Sequence, residues 1–208
     1  MLILVRHGQS ESNAAGVLAG RDDVPLTALG VEQARRAGRL LAAERATVLP
    51  RERPLVRLLT SPLQRARMTA ELIASELGDG VATDVEERLI ELDYGELEGR
   101  RPGELDRRLW ATWRSDPSWV PPGGESFEQL HGRLDPLWES LAAEAAAGDV
   151  VAVSHVSPIK ACVAWALGTG PELAWRLSLG VCAITRVRTG PGGPALVSFG
   201  ETGHLVGD

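Results

Sequence analysis

The chain has 208 residues, 44% hydrophobic and 24% charged, enough to bury a substantial core and ordinary for a globular enzyme. A net charge of −6 is the wrong sign for a nucleic-acid surface, and no apolar run approaches the length of a membrane span. Cys162 and Cys182, the only cysteines, lie in apolar runs and read as buried free thiols; with no basic, apolar leader, a cytoplasmic protein is expected.

Leu2 to Val5 is a short apolar run with β-branched members, which predicts a buried strand. It stops at Arg6, His7 and Gly8, where glycine lets the backbone turn without a Cβ in the way. Ligands of open α/β sheets bind beyond the carboxyl ends of strands, so Arg6 and His7 are expected at a pocket rim. A polar connection over 9–25 carries Asn13 and Arg21. Thr27 then caps a helix with Val31, Ala34, Ala37 or Gly38, and Leu41 along one face. Residues 45–54 read as a connection.

Leu55 to Leu59 predicts a second buried strand, followed at once by Thr60-Ser61-Pro62. Serine before proline predicts a helix start, the hydroxyl as cap and the ring in the first position. That helix reaches Leu77, stops at Gly78 and buries Ala66, Thr69, Ala70, Ile73 and Leu77. Arg65 falls in its first turn, where unpaired backbone N–H groups and a cation together suit an anion. A short strand is expected over 81–85. The segment 88–101 is acidic, with Glu91, Asp93, Glu96 and Glu98 interrupted by Gly95 and Gly99.

From 102 to 126 the character changes: Trp110, Trp113, Trp119, a proline pair and Gly123-Gly124. This reads as a helical lid inserted at roughly 99–126 within one domain spanning 1–208, not a second domain. A helix is predicted over Phe127–Ala147, disturbed at Pro136. Val150 to Val153 repeats the opening theme, a buried strand running into Ser154 and His155. A second Ser-Pro pair, Ser157-Pro158, then opens a helix over Ile159–Leu167 that Gly168 closes. Val181–Val187 and Ala195–Phe199 are expected strands on either side of a glycine-rich turn. Strands alternating with helices predict an α/β protein with a largely parallel sheet covered on both faces.

The strand ends should collect Arg6, His7, Arg65 and His155, with Glu91 arriving from a connection. Two guanidiniums and two imidazoles make a cradle for a dianionic phosphoryl group. One imidazole can attack phosphorus, and a carboxylic acid can protonate the departing alkoxide. Like charge from the bound dianion keeps that acid protonated, while the surrounding cations keep His7 neutral, as a nucleophile must be.

Five runs carry this chemistry in order: Leu4–Asn13, Thr60–Ala66 with Thr69-Ala70, Leu89–Gly95 with Glu98-Gly99, Pro122–Ser126, and Val153-Ser154-His155. Together they resemble the histidine phosphatase superfamily, also called the phosphoglycerate mutase-like family, over nearly the whole chain. The resemblance implies a three-layer α/β/α sandwich. It implies His7 as the phosphorylated nucleophile, Arg6, Arg65 and His155 as the phosphate pocket, Asn13 as a supporting contact and Glu91 as proton donor. No metal or other cofactor is implied, and the implied activity is hydrolysis of a small phosphorylated metabolite. The run from His155 to Lys160 is similar to one in a bacterial branch of acid and α-ribazole-phosphate-type phosphatases. Two departures stand out. Val156 replaces a glycine common after the second histidine, and the insertion is shorter than in phosphoglycerate mutases, which lowers the case for mutase activity. Arg21 and the segment 99–125 are expected on the leaving-group side. A homodimer is common among such proteins, and these residues do not decide it.

Two rivals follow: a phosphoglycerate-type mutase, and a non-catalytic phospho-ligand binder, which the presence of Glu91 and both histidines disfavours. Cys182 and Arg188 match a Cys-x5-Arg spacing, but the residues between lack the glycines of a phosphate-cradling loop. Neither a P-loop nor His-Glu-x-x-His is present. His131 reads as a surface or lid residue, His204 as an exposed tail residue, and the lid tryptophans as the core of the insertion.

Overall fold

The computed structural model describes residues 1–47 and 54–206. Strands β1 (Leu2–Arg6), β2 (Leu55–Thr60), β3 (Asp84–Val85), β4 (Asp149–Ser154), β5 (Ile184–Arg188) and β6 (Ala195–Glu201) form one sheet in the order β3-β2-β4-β1-β5-β6. The first four run parallel, β5 runs antiparallel to β1, and β6 runs antiparallel to β5. Around it lie α1 (Glu11–Ala15), α2 (Ala28–Thr47), α3 (Gln64–Leu77), α4 (Arg107–Ser115), α5 (Phe127–Glu144) and α6 (Val156–Leu167).

The period-two alternation of the strands divides the interior into two cores. Leu2, Leu4, Leu59, Val150 and Ala152 face Leu130, Leu134 and Trp138 of α5 and Ile159 of α6. Ile3, Val5, Leu58, Val151 and Val153 face Ala37 and Leu41 of α2 and Ala66, Ala70 and Ile73 of α3. Both faces of the sheet are dry, which gives the α/β/α sandwich and explains why the central strands read as continuous apolar runs. Truncating a leucine such as Leu4 or Leu59 to alanine costs about 2–5 kcal/mol. Helices α2 and α3 meet at Gly38, where a Cβ would lie 2.9 Å from the Glu76 Cβ and 3.1 Å from the Ile73 Cα.

Several boundaries differ from the sequence reading, each for a local reason. The connection over 9–25 contains α1, whose five residues are too few to show a period; Ser10 caps it by accepting from the Asn13 N–H. Of the connection expected over 45–54, residues 48–53 lie outside the described residues, and α2 itself continues to Thr47. Helix α3 starts at Gln64, beyond Ser61-Pro62, because the Ser61 hydroxyl is drawn to His155 and the Gln64 N–H is met by the Asp23 carboxylate from another loop. Helix α6 starts earlier than expected, at Val156, so Pro158 falls in the first turn, where its missing N–H costs nothing. The expected strand over 181–187 begins only at Ile184, because Cys182 adopts φ 53, a left-handed conformation that ends the extended run. Only two residues of the strand expected over 81–85 pair with β2.

Candidate active site

The register of the sheet assembles the site. Arg6 pairs with Ser154 at the carboxyl ends of β1 and β4, so the next residues, His7 and His155, leave neighbouring strands side by side. The His7 N–H extends the ladder to the Ser154 carbonyl at 3.0 Å, and the two imidazole centroids stand 5.0 Å apart. On the other side of β4, Thr60 pairs with Val153, which brings the Ser61 hydroxyl to 2.7 Å from His155 Nε2. Arg65, on the first turn of α3, directs its Nε–H to His7 Nε2 at 3.3 Å. His7, His155, Arg65 and Glu91 are all at most 5% exposed.

Hydrogen bonding fixes the tautomer of His7. Its Nδ1 lies 2.7 Å from the Gly8 carbonyl, which can only accept, so Nδ1 carries the proton. In the neutral ring Nε2 then presents its lone pair, on the side where Arg65 donates. Burial, followed by the Arg6 and Arg65 charges, holds the His7 pKa well below its ordinary value. Burial and the Arg65, His7 and Arg6 charges do the same to His155, whose buried Nδ1 has no partner among the described residues. The pair is therefore neutral at pH 7, and Nε2 of His7 presents an unprotonated lone pair beside Arg65.

Glu91 sits where the first turn of α6 leaves backbone donors unpaired. Its Oε1 accepts from the Ser157 N–H at 3.1 Å and the Leu92 N–H at 2.8 Å, and its Oε2 from the Val156 N–H at 3.2 Å. The second Ser-Pro helix start thus binds a carboxylate of the same chain. Val156 in place of glycine keeps the N–H this contact needs.

The remaining expected residues divide. Arg6 donates from Nη1 to the Leu179 carbonyl at 2.7 Å and leaves its buried Nε without a partner among the described residues. Asn13 uses its side-chain oxygen on the Ser10 N–H and hydroxyl, which leaves its amide N–H groups available. Arg21 is engaged by Asp93 at 3.2 Å and Glu125 at 3.4 Å, so it ties the connection to the lid. Arg133 pairs with the same Glu125 at 2.7 Å and donates to the carbonyls of Ile90 and Glu91. Gly8 is required by crowding: a Cβ there would lie 2.4 Å from the Gly30 carbonyl oxygen.

Three supporting groups escaped the sequence reading. Ser61 is the partner of His155, besides accepting the Leu63 N–H at 3.3 Å just ahead of α3. Thr69 accepts from the Gly8 N–H at 3.1 Å and donates to the Arg65 carbonyl at 2.7 Å, although its position on the buried face of α3 read as packing. Cys182 donates its backbone N–H to the His7 carbonyl at 3.0 Å from its left-handed conformation. Its thiol is buried and pushed up to about 12, the opposite of an activated cysteine. His204 is not an exposed tail residue: it is partly buried, with Nε2 3.1 Å from the Cys182 carbonyl, because Leu205 packs into the α2–α3 core. His131 lies on α5 beside Asp135. Trp113 is buried in a cluster with Trp110, Trp119, Trp175 and Phe127, so the tryptophans of the insertion pack with rings from outside it onto the core under the sheet. Among the described residues, no group of three or more His, Cys, Asp or Glu side chains is placed to hold a metal ion, and no helix is long and apolar enough to cross a membrane.

Comparison with known proteins agrees with this geometry. Residues 2–202 match the histidine phosphatase superfamily (branch 1). The chain is 32% identical to a bifunctional protein of Mycobacterium tuberculosis over 98% of its own length and 54% of that protein's, so it spans about half of the first curated relatives it matches. It is 34% identical to the 2,3-bisphosphoglycerate-dependent phosphoglycerate mutase of Afipia carboxidovorans, over 90% of this chain and 92% of the mutase. Phosphoserine phosphatase from Entamoeba histolytica, in complex with 3-phosphoglyceric acid, superposes with a TM-score of 0.83 at 28% identity, covering 99% of this chain and 98% of that one. The mycobacterial glucosyl-3-phosphoglycerate phosphatase in complex with VO3 gives 0.82 at 27% identity, covering 97% and 98%. With its paired histidines at the ends of adjacent parallel strands, the chain belongs to branch 1 of the histidine phosphatase superfamily.

Proposed function

We propose that the protein is a metal-independent phosphatase that hydrolyses a small phosphorylated metabolite through a phosphohistidine on His7. The observation that carries this reading is the Gly8–His7–Arg65 arrangement: one carbonyl fixes the proton on Nδ1, and Nε2 faces a guanidinium in a buried, cationic pocket. In the first step Nε2 attacks phosphorus, the P–O ester bond breaks, and Glu91 gives its proton to the departing alkoxide. The ring becomes cationic, and its Nδ1–H bond to the Gly8 carbonyl stabilises that charge. In the second step water attacks phosphorus, Glu91 takes the water proton, and the P–N bond breaks to release phosphate. Arg6, Arg65, His155 and the Asn13 amide donate to the phosphoryl oxygens, which supplies the acceptors that Arg6 Nε and His155 Nδ1 lack.

Acid quenching during turnover of a labelled phosphomonoester, followed by peptide mapping, tests the reading. Label on His7 is expected; full activity in His7→Ala ends the proposal. A second reading, phosphoglycerate mutase-type transfer, has support in the 34% identity to a mutase across 92% of its length. The two differ in whether the phosphoryl group returns to product or goes to water. Conversion of 3-phosphoglycerate to 2-phosphoglycerate faster than phosphate release would favour the mutase.

A further inference from the structure

Arg133 stands on the second turn of α5, a helix anchored by the buried Leu130, Leu134 and Trp138. Its guanidinium spends donors on the backbone that carries Glu91. Nη1 donates to the Arg88 carbonyl, and Nη2 donates to the Ile90 carbonyl at 2.9 Å and the Glu91 carbonyl at 3.3 Å. Ile90 and Glu91 lie outside any helix or strand, so no regular ladder sets their course. Between these contacts the Ser154 hydroxyl, at the end of β4, donates to the Leu89 carbonyl at 2.7 Å. The segment 88–91 is thus gripped from a helix and from the central sheet.

The orientation of Arg133 is itself fixed. Glu125 accepts from its Nε at 2.7 Å and its Nη2 at 3.0 Å, a two-pronged pair that a guanidinium can form and an ammonium cannot. Glu125 donates its own N–H to the Asp93 carbonyl at 2.9 Å. Its Oε2 also meets Arg21, in the 20–22 loop that Arg65 holds. A continuous run of contacts therefore joins the arginine beside His7 to the main chain of Glu91.

The contacts of the Glu91 carboxyl cannot hold it through a reaction cycle. A carboxyl that gives and takes a proton exchanges an acceptor oxygen for a donor, so an N–H partner is lost in one of its two states. The grip of Arg133 on the Glu91 carbonyl does not change with that charge. Resting on the assignment of Glu91 as proton donor, we infer that Arg133 is a positioning residue for proton transfer: with Glu125 it holds the Glu91 main chain so that the carboxyl meets the ester oxygen of the departing alcohol. Arg133 acts through Glu91 and does not touch the substrate. Misplacing a reacting group by about 1 Å is enough to cost about 10²-fold.

Two esters assayed on one preparation test this: butyl phosphate, whose alkoxide must be protonated as it leaves, and 4-nitrophenyl phosphate, whose leaving group needs little protonation. An unfolded fraction lowers both rates alike and leaves their ratio untouched. Arg133→Gln is expected to lower kcat/KM for butyl phosphate about 10²-fold and for 4-nitrophenyl phosphate less than about threefold. Arg133 also carries charge: after burial and the charges of Arg65, His7 and Arg6, it lowers the His155 pKa. Arg133→Lys keeps that charge but loses the fork, and a selective loss of about tenfold or more is expected there too. In the double variant Glu91→Gln/Arg133→Gln, kcat/KM for butyl phosphate is expected within about threefold of Glu91→Gln alone, because nothing is left to position. Equal losses on the two esters in Arg133→Gln, wild-type kinetics in Arg133→Lys, or losses that multiply in the double variant each overturn the inference. If Glu91→Gln is itself selective in those assays, the donor assignment stands without it; if Glu91→Gln slows both esters alike, both fall.

Discussion

Arg65 donates its Nε–H to Nε2 of His7 at 3.3 Å, while its two terminal nitrogens bind the Asp22 carbonyl at 2.6 Å and the Gly20 carbonyl at 2.7 Å. One planar fork therefore orients the candidate nucleophile and fixes the 20–22 loop beside it. Lysine would keep the charge, yet a single ammonium cannot reproduce three divergent donors. Arg65→Lys is expected to lower kcat/KM by about 10²–10³-fold, the range for loss of one donor to a developing oxyanion. Steady-state kinetics on a phosphate ester decide it, and a loss below about threefold contradicts the shared-fork account.

Glu91 makes a separate prediction, because its proposed role depends on the leaving group. Gln cannot supply the proton, so Glu91→Gln should slow esters of aliphatic alcohols by about 10²–10⁴-fold. An ester such as 4-nitrophenyl phosphate, whose leaving group needs little protonation, should be slowed far less. With the amide oxygen kept on the Ser157 and Leu92 N–H groups, replacement also sets the amide N–H₂ against the Val156 N–H, so the variant should melt earlier than wild type. A uniform loss across both esters would assign Glu91 to the framework around the site and remove it from proton transfer.

What was legible in the sequence follows from what each pattern encodes. The central strands are buried on both faces, so Leu2 to Val5 and Val150 to Val153 announce themselves as apolar runs, and their parallel pairing places His7 beside His155. The helix starts were misread because Ser61 and Ser157 had other claims on them. Ser61 binds His155, and the first turn of α6 binds Glu91, both tertiary contacts between residues more than sixty positions apart. No local rule contains them. The same holds for the contacts of Arg21 with Asp93 and Glu125, and for the backbone contact from Cys182 to His7, which depends on a left-handed residue that side-chain identity does not signal.

The depressed histidines make stability depend on pH in a definite direction. His7 and His155 are held well below 6.5 by burial and neighbouring cations, and unfolding returns each to its ordinary value. Below pH 6.5 the unfolded chain therefore binds protons that the folded protein refuses. Stability is complete above the unfolded value and falls as pH drops through it, down to the folded values. The slope approaches about 1.4 kcal/mol per pH unit for each histidine. Denaturant titrations between about pH 7 and pH 5.5 should show this fall in wild type. It should be reduced in His155→Gln, which cannot titrate there. An unchanged slope in that variant would mean that His155 is charged in the folded state.

Vanadate supplies a test that needs no substrate. It adopts the five-coordinate geometry of phosphorus under attack, and VO3 is present in the complex of the mycobacterial glucosyl-3-phosphoglycerate phosphatase, which shares this fold. A ligand that binds only the folded state stabilises it by RT ln(1 + [L]/Kd), about 2.7 kcal/mol at a hundredfold excess over Kd. For a domain of this size that is a rise in Tm of roughly 5–10 °C. His7→Ala removes the nitrogen that would bond to vanadium, and Arg65→Lys removes a donor from its equatorial oxygens, so both should lose most of the shift. Chelators should alter neither the Tm of the free protein nor its turnover, since the proposed mechanism assigns every proton and every charge to the side chains of the pocket. An equal vanadate shift in wild type and His7→Ala would place the anion elsewhere on the molecule and separate the cradle from the chemistry assigned to it.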